Sequence, residues 1–287
     1  PADCPTGVEY YISFDLASGT TVTAPSGASP QSANLFRAVA ADEVDFDDLY
    51  DFEATVGFTA GAPGDNATTG VWVRVDPRGT AAQPENDNTP DGTFAWVTGQ
   101  GSPGGSLGEN DVDGGTTSLV SNRIDLSGTQ SATIAYARWY SNSAGASPNA
   151  DVFEVFVSDD DGQTYVPVET VGPAGPGTSG GWIVTGFDVA DFVDLTTTVR
   201  VKFVASDLGS GSIVEAGIDD VRVLGVSCTD SCPADLAAPF GVLDLADVQA
   251  FVGAFTSGGA LADLNGDGVF DLTDVQEFIT AFNAGCP

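Results

Sequence analysis

Residues 263–274 read DLNGDGVFDLTD, which places oxygen-bearing side chains at positions 1, 3, 5, 9 and 12 of a twelve-residue loop and a glycine at position 6. Calcium takes about six to eight oxygen ligands, and a loop of this length can wrap one ion if Gly266 makes the sharp turn. The stretch therefore predicts a calcium site. Its predicted ligands are Asp263, Asn265, Asp267, the carbonyl of Val269, Asp271 and Asp274.

A helix is predicted directly after this loop, because apolar residues recur there at helical spacing. They are Val275, Phe278, Ile279 and Phe282. One loop and one helix cannot bury such a stripe alone, so we expect a second copy. It lies 27 to 28 residues upstream, where residues 235–247 read DLAAPFGVLDLAD. The same spacing follows in Val248, Phe251, Val252 and Phe255.

The upstream loop has fewer ligands than the downstream one. Its carboxylates are Asp235, Asp244 and Asp247, while Ala237 and Pro239 stand where the downstream loop has Asn265 and Asp267. We therefore expect a weak ion or none in this loop, with packing of Phe240 and Pro239 in its place.

The duplicated loop-helix resembles the dockerin family, whose loops also close with an aspartate that begins a helix. The ending Gly285-Cys286-Pro287, with Cys232-Pro233 in front, is similar to the GC-type dockerin-anchored proteins. The resemblance covers about a fifth of the chain. It implies docking onto a β-sandwich receptor, the cohesin, through the residues just after position 9 of each loop. These are Leu245, Ala246, Leu272 and Thr273. The alternative is a calcium-stapled cap without a partner.

The charge of the chain excludes some partners. It has 41 acidic and 8 basic residues and a net charge of −33, which would repel nucleic acid and anionic membrane surfaces. The same charge favours divalent cations. Nothing runs apolar for about eighteen residues, so no membrane insertion is predicted. Because the chain starts at Pro1, we expect a mature secreted protein, extracellular or at the cell surface.

The four cysteines fit secretion, because disulfides persist in oxidising compartments. Three pairings are possible. We favour Cys4 with Cys228 and Cys232 with Cys286, because each bridge would then close one domain.

The rest of the chain predicts a mainly β fold. Residues 8–16 alternate apolar and polar side chains and predict a half-buried strand, and residues 35–39 predict a short one. Short β runs separated by turn residues then predict a sandwich. They are 52–60, 71–75, 94–98, 118–126, 131–140, 152–158, 164–170, 181–187, 198–205 and 213–224. The predicted domains are an N-terminal β arm over 1–46, a jelly-roll β-sandwich over 47–228 and the small α-helical dockerin-like calcium module over 229–287.

Several motifs in the sandwich region resemble the jelly-roll modules of meprin-type and cleaved-adhesin domains. They are Asp51-Phe52-Glu53, Asp159-Asp160-Asp161-Gly162 and residues 217–223. The resemblance implies glycan or protein binding and a structural calcium held by Glu53 and Asp219 or Asp220. A separate acidic group, Asp65, Glu85, Asp87 and Asp91, precedes the turn Glu109–Gly115. There Asp111 and Asp113 are further calcium candidates, although such residues also simply form turns.

Catalysis is disfavoured by composition. The chain has no histidine, which excludes Ser-His-Asp and Cys-His chemistry and removes the usual zinc ligands. A carboxylate pair could still serve a glycosidase, but Glu154 and Glu215 are isolated candidates. The four tryptophans favour packing in the core over a sugar-stacking platform.

The leading interpretation is a non-catalytic secreted structural or adhesive protein. Its dockerin-like module would dock onto a β-sandwich, and the sandwich of a neighbouring copy would give an open filament. The alternative is a carbohydrate-binding module anchored by the same dockerin-like module to a scaffold. A glycosidase comes third.

Overall fold

The structure is a computed structural model that describes residues 7–10, 12–16, 21–24, 36–39, 43–55, 57–209, 211–227, 232–237, 242–265 and 267–285. The chain divides into two compact units. One comprises Val44–Ser227, and the other comprises Pro1–Glu43 together with Cys228–Pro287. The described residues form a β-sandwich, two short two-stranded sheets, two α-helices and two single-turn 3-10 helices, Val189–Asp191 and Ala260–Ala262.

The N-terminal segment forms two small antiparallel sheets. β1 (Gly7–Tyr10) pairs with β4 (Phe36–Val39), and β2 (Ile12–Asp15) pairs with β3 (Thr21–Ala24). The strand predicted over 35–39 is confirmed. The prediction of one half-buried strand over 8–16 is wrong, because its two parts have different partners and residues 12–16 are all exposed. A two-stranded sheet supplies no second layer to cover its apolar face.

Eleven strands follow in chain order. They are β5 (Glu43–Tyr50), β6 (Thr59–Ala60), β7 (Trp72–Val75), β8 (Ala95–Thr98), β9 (Gly115–Val120), β10 (Ser131–Gly145), β11 (Phe153–Ser158), β12 (Val166–Val171), β13 (Ile183–Asp188), β14 (Arg200–Asp207) and β15 (Ser212–Ser227). Most coincide with predicted runs, because period-2 alternation marks strands with one buried face.

These strands form two antiparallel sheets. The six-stranded sheet has the order β13-β10-β15-β8-β7, with β5 also paired to β15, and the five-stranded sheet has the order β12-β11-β14-β9-β6. On β11 the side chains of Phe153, Val155 and Val157 are fully buried, while Glu154 and Phe156 alternate with them on the outer face. The predicted β-sandwich is therefore confirmed.

Aromatic side chains fill the space between the two sheets. Tyr136 on β10 meets Phe203 on β14 edge-to-face, with 5.1 Å between the ring centroids. Burying each such side chain stabilises the fold by roughly 1.5–3 kcal/mol. Arg138 on β10 pairs with Glu169 on β12 at 2.9 Å, and the Tyr136 hydroxyl also donates to Glu169 at 2.8 Å. These contacts join the sheets along one side.

Strand β5 is absent from the sequence prediction, which began the sandwich with a strand over 52–60. Its sequence EVDFDDLY is acidic and resembles a solvated loop. Tertiary contacts hold this segment on the sandwich as a strand. Phe46 packs against the core, and Arg222 on β15 pairs with Asp47 at 2.5 Å. Among the described residues of the predicted run 52–60, which exclude residue 56, only Thr59–Ala60 is a strand.

The C-terminal module contains α1 (Leu245–Ser257) and α2 (Leu272–Ala284). Each begins with a capping box, formed by Asp244 and Asp247 in α1 and by Asp271 and Asp274 in α2. The rings of Phe251 and Phe278 stack between the helices with their centroids 4.2 Å apart. The predicted duplication is therefore present in the structure. No helix within the described ranges is both long and apolar enough to span a membrane.

The apolar stripes are narrower than predicted. Phe251 and Phe278 are buried, but Val252 and Ile279 are each 52% exposed. Only about one residue per turn of each helix reaches a core this small, so the flanking apolar residues stay at the surface.

Candidate functional site

The oxygen-bearing side chains of the loop at 263–274 turn into the loop. Asp263 Oδ1 and Asn265 Oδ1 accept from the Asp267 N–H at 3.1 and 2.9 Å, and Asp263 Oδ2 accepts from the Gly268 N–H at 2.9 Å. Gly268, at position 6, has a φ of 77° and makes the sharp turn. The assignment of this turn to Gly266 is wrong, because Gly266 is at position 4 of the loop. Gly266 itself lies outside the described residues.

The last two predicted ligands of this loop lie at the start of α2. Asp271 is the N-cap, and its Oδ1 accepts from the Thr273 N–H at 2.7 Å. Asp274 is fully buried, and its two oxygens accept from the N–H groups of Leu264 and Asp271 at 3.0 and 2.9 Å. Asp274 thus closes the loop on the helix start. Calcium ligation by this set, with the Val269 carbonyl, stays a prediction.

The upstream loop closes in the same way. Both Leu236 and Ala237 donate their N–H groups to Asp247 Oδ1 at 2.8 Å, and the Asp244 N–H donates to Asp247 Oδ2 at 2.8 Å. A protein carboxylate therefore organises each loop. The predicted packing of Pro239 and Phe240 lies outside the described residues, and Asp235 stays an untested ligand candidate.

The cysteine pairing also stays a prediction. Cys232 takes part in a disulfide bond. Cys4, Cys228 and Cys286 lie outside the described residues, so neither proposed pair can be assigned.

The predicted docking residues lie at equivalent places in the two repeats. Leu245 and Leu272 are the first residues of α1 and α2, and they are 68% and 67% exposed. Thr273 is exposed and Ala246 is half-buried. Leu245 and Val252 in the first repeat are matched by Leu272 and Ile279 in the second, 27 residues later. All four are large apolar side chains exposed at the surface of the module.

The structure brings the three carboxylates predicted from the sandwich motifs to one loop, residues 87–94. Asp219 Oδ2 accepts from the Asn88 N–H at 2.7 Å, and Asp220 Oδ2 accepts from the Asn88 side-chain amide at 2.7 Å. Glu53 Oε1 accepts from the N–H groups of Thr93 and Phe94 at 2.8 and 2.7 Å. These contacts hold both ends of the loop on the sandwich.

Asp87 joins this group, although the sequence placed it with other acidic residues. Its buried Oδ2 has no hydrogen-bond partner within the described residues. Burial raises the pKa of Asp87, and the carboxylates of Glu53 and Asp220 raise it further. Burial also raises the pKa of Asp219 to about 7. A divalent cation would relieve this concentration of negative charge.

Of that acidic group, Asp91 also belongs to the loop at 87–94, whereas Asp65 and Glu85 have other contacts. Asp65 accepts from the N–H and hydroxyl of Ser118, and Glu85 accepts from the Gly79 N–H at 2.8 Å. Asp111 is buried and Asp113 is exposed, where it accepts from the Thr69 hydroxyl at 3.4 Å. Across the described part of the chain, no three Asp, Glu, His or Cys side chains converge closely enough to form a ready-made metal cage. Any ion there also needs neutral oxygens.

The tryptophans serve packing. Trp72 is buried and donates to the Thr117 carbonyl at 3.2 Å. Trp139 and Trp182 meet edge-to-face and donate to the carbonyls of Ala82 and Asn86 at 2.6 and 3.0 Å. They hold residues 76–94 over the outer face of the six-stranded sheet. Part of that face is therefore covered, although Val184 on β13 is 70% exposed, and the predicted preference for packing over a sugar platform is confirmed for Trp72.

The outer face of the five-stranded sheet carries a different set of side chains. Lys202 Nζ lies 3.9 Å from the ring centroid of Tyr165 and 4.9 Å from that of Phe156. Burial lowers the pKa of Lys202, while the carboxylates of Asp65 and Glu154 oppose that shift. All five residues are half-buried. We call these five residues the polar-aromatic face.

The two glutamates considered for catalysis do not form a pair. Glu154 lies on the polar-aromatic face, whereas Glu215 is buried on β15 of the other sheet. The Thr98 hydroxyl donates to Glu215 at 2.9 Å, and burial raises the pKa of Glu215 well above its usual value. Glu154 and Glu215 therefore do not face each other across one cleft as a glycosidase pair would.

No protein-family profile and no curated protein matches this chain. Solved structures do. The K1 cleaved adhesin domain of Lys-gingipain from Porphyromonas gingivalis is 16% identical over 62% of this chain and 97% of that one, with a TM-score of 0.39. CBM27-1 of Caldicellulosiruptor saccharolyticus, solved with mannohexaose, is 13% identical over 62% and 96% of the two chains, with a TM-score of 0.39. TmCBM61, solved with β-1,4-galactotriose, is 12% identical over 58% and 88%, with a TM-score of 0.35. At such low TM-scores, the function must be argued from the geometry of this chain.

Proposed function

We propose that this chain is a non-catalytic extracellular binding protein whose sandwich binds carbohydrate on the polar-aromatic face. The observation that carries the proposal is the grouping of two aromatic rings, an ammonium group and two carboxylates on one half-exposed sheet face. A sugar ring presents apolar C–H groups on its faces and hydroxyls at its rim. Aromatic rings suit the former, and charged donors and acceptors suit the latter.

The strand register sets the spacing of these groups. Phe156 on β11 lies opposite Lys202 on β14, and Lys202 lies opposite Val120 on β9. In the next row, Glu154 lies opposite Val204. Neighbouring strands are about 4.8 Å apart. Three of the five residues lie on strands, and Asp65 and Tyr165 lie in the connections beside them. The face therefore offers donors and acceptors at intervals of roughly the size of a sugar ring.

The two sheets differ in what is available to a ligand. Residues 76–94 cover part of the outer face of the six-stranded sheet through Trp139 and Trp182. These residues restrict the access of a ligand to that face, whereas the polar-aromatic face of the five-stranded sheet is half-exposed. The net charge of −33 favours neutral or basic glycans over sulfated or polyuronic ones.

A glycan array with the full chain in calcium tests the proposal, followed by titration of the best oligosaccharide. Tyr165→Ala is expected to weaken binding by about tenfold or more, because a central aromatic contact contributes at least about 1.4 kcal/mol. Tyr165→Phe should retain most of the affinity, since the ring remains. Val184→Ala on β13, which replaces a side chain that is 70% exposed, is the control. Equal loss in Tyr165→Ala and Val184→Ala would contradict the proposal.

The second proposed function is docking by the C-terminal module onto a cohesin-like β-sandwich, with calcium ordering the downstream loop. It is favoured by the exposure of Leu245 and Leu272 at equivalent places. Apolar side chains repeated in this way suit a partner that can bind the module in either orientation. The sandwich of another copy of this chain would serve the same role and produce a filament.

Light scattering of the full chain in calcium tests self-docking, and a cohesin-type sandwich added in solution tests docking to another protein. Leu272→Asp together with Leu245→Asp should abolish either association, because buried charge opposes apolar contact. Leu261→Asp, at a residue that is 60% exposed outside both loops, is the control. Association that survives the double substitution would rule out these two leucines as the docking residues.

A further inference from the structure

Two buried aspartates face each other at one end of the sandwich. Asp151 precedes β11, and Asp207 is the last residue of β14. These strands are antiparallel with Phe153 opposite Ala205, so two residues further along Asp151 lies opposite Asp207. Phe153 and Ala205 are fully buried, and Asp151 and Asp207 are only 5% and 1% exposed. Like charges directly opposite each other in a sheet repel, so something must offset this pair.

Each aspartate has one satisfied and one unsatisfied oxygen. The Leu208 N–H donates to Asp151 Oδ1 at 3.0 Å, and the Gly209 N–H donates to Asp207 Oδ1 at 3.2 Å. The Oδ2 atoms of both are buried and have no hydrogen-bond partner within the described residues. A buried carboxylate oxygen without a partner is costly, and two together are more so.

The opposite sheet presents two more buried oxygens. Tyr140 and Asn142 on β10 are fully buried, and neither the Tyr140 hydroxyl nor Asn142 Oδ1 has a partner in the described part of the chain. The Asn142 amide nitrogen donates to the Asp151 carbonyl at 2.7 Å and to the Pro173 carbonyl at 2.9 Å, which fixes the amide so that its oxygen is left free. Tyr140 lies close to this end of β11, since its ring centroid is 5.8 Å from that of Phe153, two residues after Asp151. Burial raises the pKa of Tyr140 and the carboxylates of Asp151 and Asp207 raise it further, while the neighbouring Asn142 side chain lowers it.

No basic side chain offsets these carboxylates among the described residues. The four ion pairs recorded there use Asp47, Asp161 and Glu169 as their acids. Four oxygens without partners and two unpaired carboxylates match the needs of a hard divalent cation, which takes oxygen ligands only. A single water would satisfy hydrogen bonds but would leave both charges.

We propose that the oxygens of Asp151, Asp207, Asn142 and Tyr140 form an interior calcium site that joins the two sheets. The carboxylates supply the charge of −2 that neutralises the ion, and the amide and hydroxyl oxygens complete the set with water. Asp111 and Asp113 lie at the same end of the sandwich as this site. The segment that carries them is held there by two contacts: the Val112 N–H donates to the Val214 carbonyl of β15, and Gly115 pairs with Asp207 of β14. These two predicted calcium ligands would draw cations toward the site instead of forming it.

The test compares the full chain with Asp207→Asn and Asp151→Asn. We expect each variant to bind one calcium ion fewer than the natural chain, measured by equilibrium dialysis. The melting of the sandwich is followed separately by tryptophan fluorescence, since all four tryptophans lie within residues 72–182. Calcium should raise that melting temperature less in the variants than in the natural chain. Asp125→Asn is the control, because this exposed carboxylate bonds only within its own turn, to Ser127.

An unchanged ion count in the folded variants would overturn the proposal, and so would a variant as calcium-responsive as the natural chain. If the two aspartates share a proton instead of binding calcium, each variant should bind as many calcium ions as the natural chain and should be at least as stable as the natural chain in chelator. That result would also overturn the proposal.

If neither variant folds, hydrogen exchange on the natural chain decides. Calcium should slow exchange of the Leu208 and Gly209 amides, which donate to these carboxylates. The proposal would also be overturned if calcium left the exchange rates of the Leu208 and Gly209 amides unchanged while it slowed exchange in the loop at 263–274. All these readouts are independent of glycan binding.

Discussion

Phe278→Ala is expected to unfold the C-terminal loop-helix pair while the sandwich stays folded. Phe278 is buried and stacks on Phe251 at 4.2 Å, and the only other fully buried apolar residues of this core within the described ranges are Ala234 and Ala262. Removing a buried phenylalanine costs about 3–5 kcal/mol. A module of this size has little more stability than that to lose.

Two spectroscopic signals separate the parts of the chain. Both α-helices of the described residues belong to the C-terminal module, so far-UV circular dichroism reports its helix content. The tryptophans all lie in the sandwich and report that part alone. Phe278→Ala should lose the helical signal at a temperature where tryptophan fluorescence is unchanged. Ile279→Ala, next to it but 52% exposed, should keep both signals. Equal stability of the two variants would contradict the proposed core.

Asp263→Asn together with Asp267→Asn should abolish the calcium dependence of the same module. Both carboxylates turn into the loop and accept from its N–H groups, and they carry two of the four negative charges of the predicted ligand set. A ligand present at about a hundred times its dissociation constant stabilises the folded state by roughly 2.7 kcal/mol. In the natural chain, the loss of helical signal on heating should therefore shift to lower temperature when calcium is chelated.

The double variant should melt at that lower temperature with or without calcium. Glu277→Gln, an exposed substitution on α2, is the control for charge alone. A natural chain whose helices melt at the same temperature in calcium and in chelator would contradict the calcium assignment of this loop. The upstream loop should contribute little to the response, because Ala237 and Pro239 stand where the downstream loop has the predicted ligands Asn265 and Asp267.

The sequence patterns that predicted the fold correctly are local ones. Strand alternation predicted most of the sandwich, and the repeated spacing of loop carboxylates and helix phenylalanines predicted the C-terminal duplication. Both patterns lie within about thirty residues. Strand β5 escaped prediction because its placement depends on Arg222 and on Phe46 reaching the core, which its own acidic sequence does not encode.

The candidate sites follow the same division. Glu53, Asp219 and Asp220 were found from motifs, but their common contact, the loop at 87–94, required the folded chain. Asp151 and Asp207 had no sequence signal at all. They become a pair only when β11 and β14 are in register, and the two residues are 56 positions apart in the chain. The polar-aromatic face likewise gathers residues from four separate segments: Asp65, Glu154 with Phe156, Tyr165, and Lys202.

Glycan binding on the polar-aromatic face is best tested by hydrogen exchange of the full chain in calcium. Exchange is measured with and without a saturating oligosaccharide. We expect exchange to slow in residues 153–158, 165–171 and 200–204, which carry four of the five residues of the polar-aromatic face. We expect no change in the loop at 76–94 or in the C-terminal helices. Protection confined to that loop or to the helices would contradict the assignment of the binding face, and so would an array on which no glycan binds.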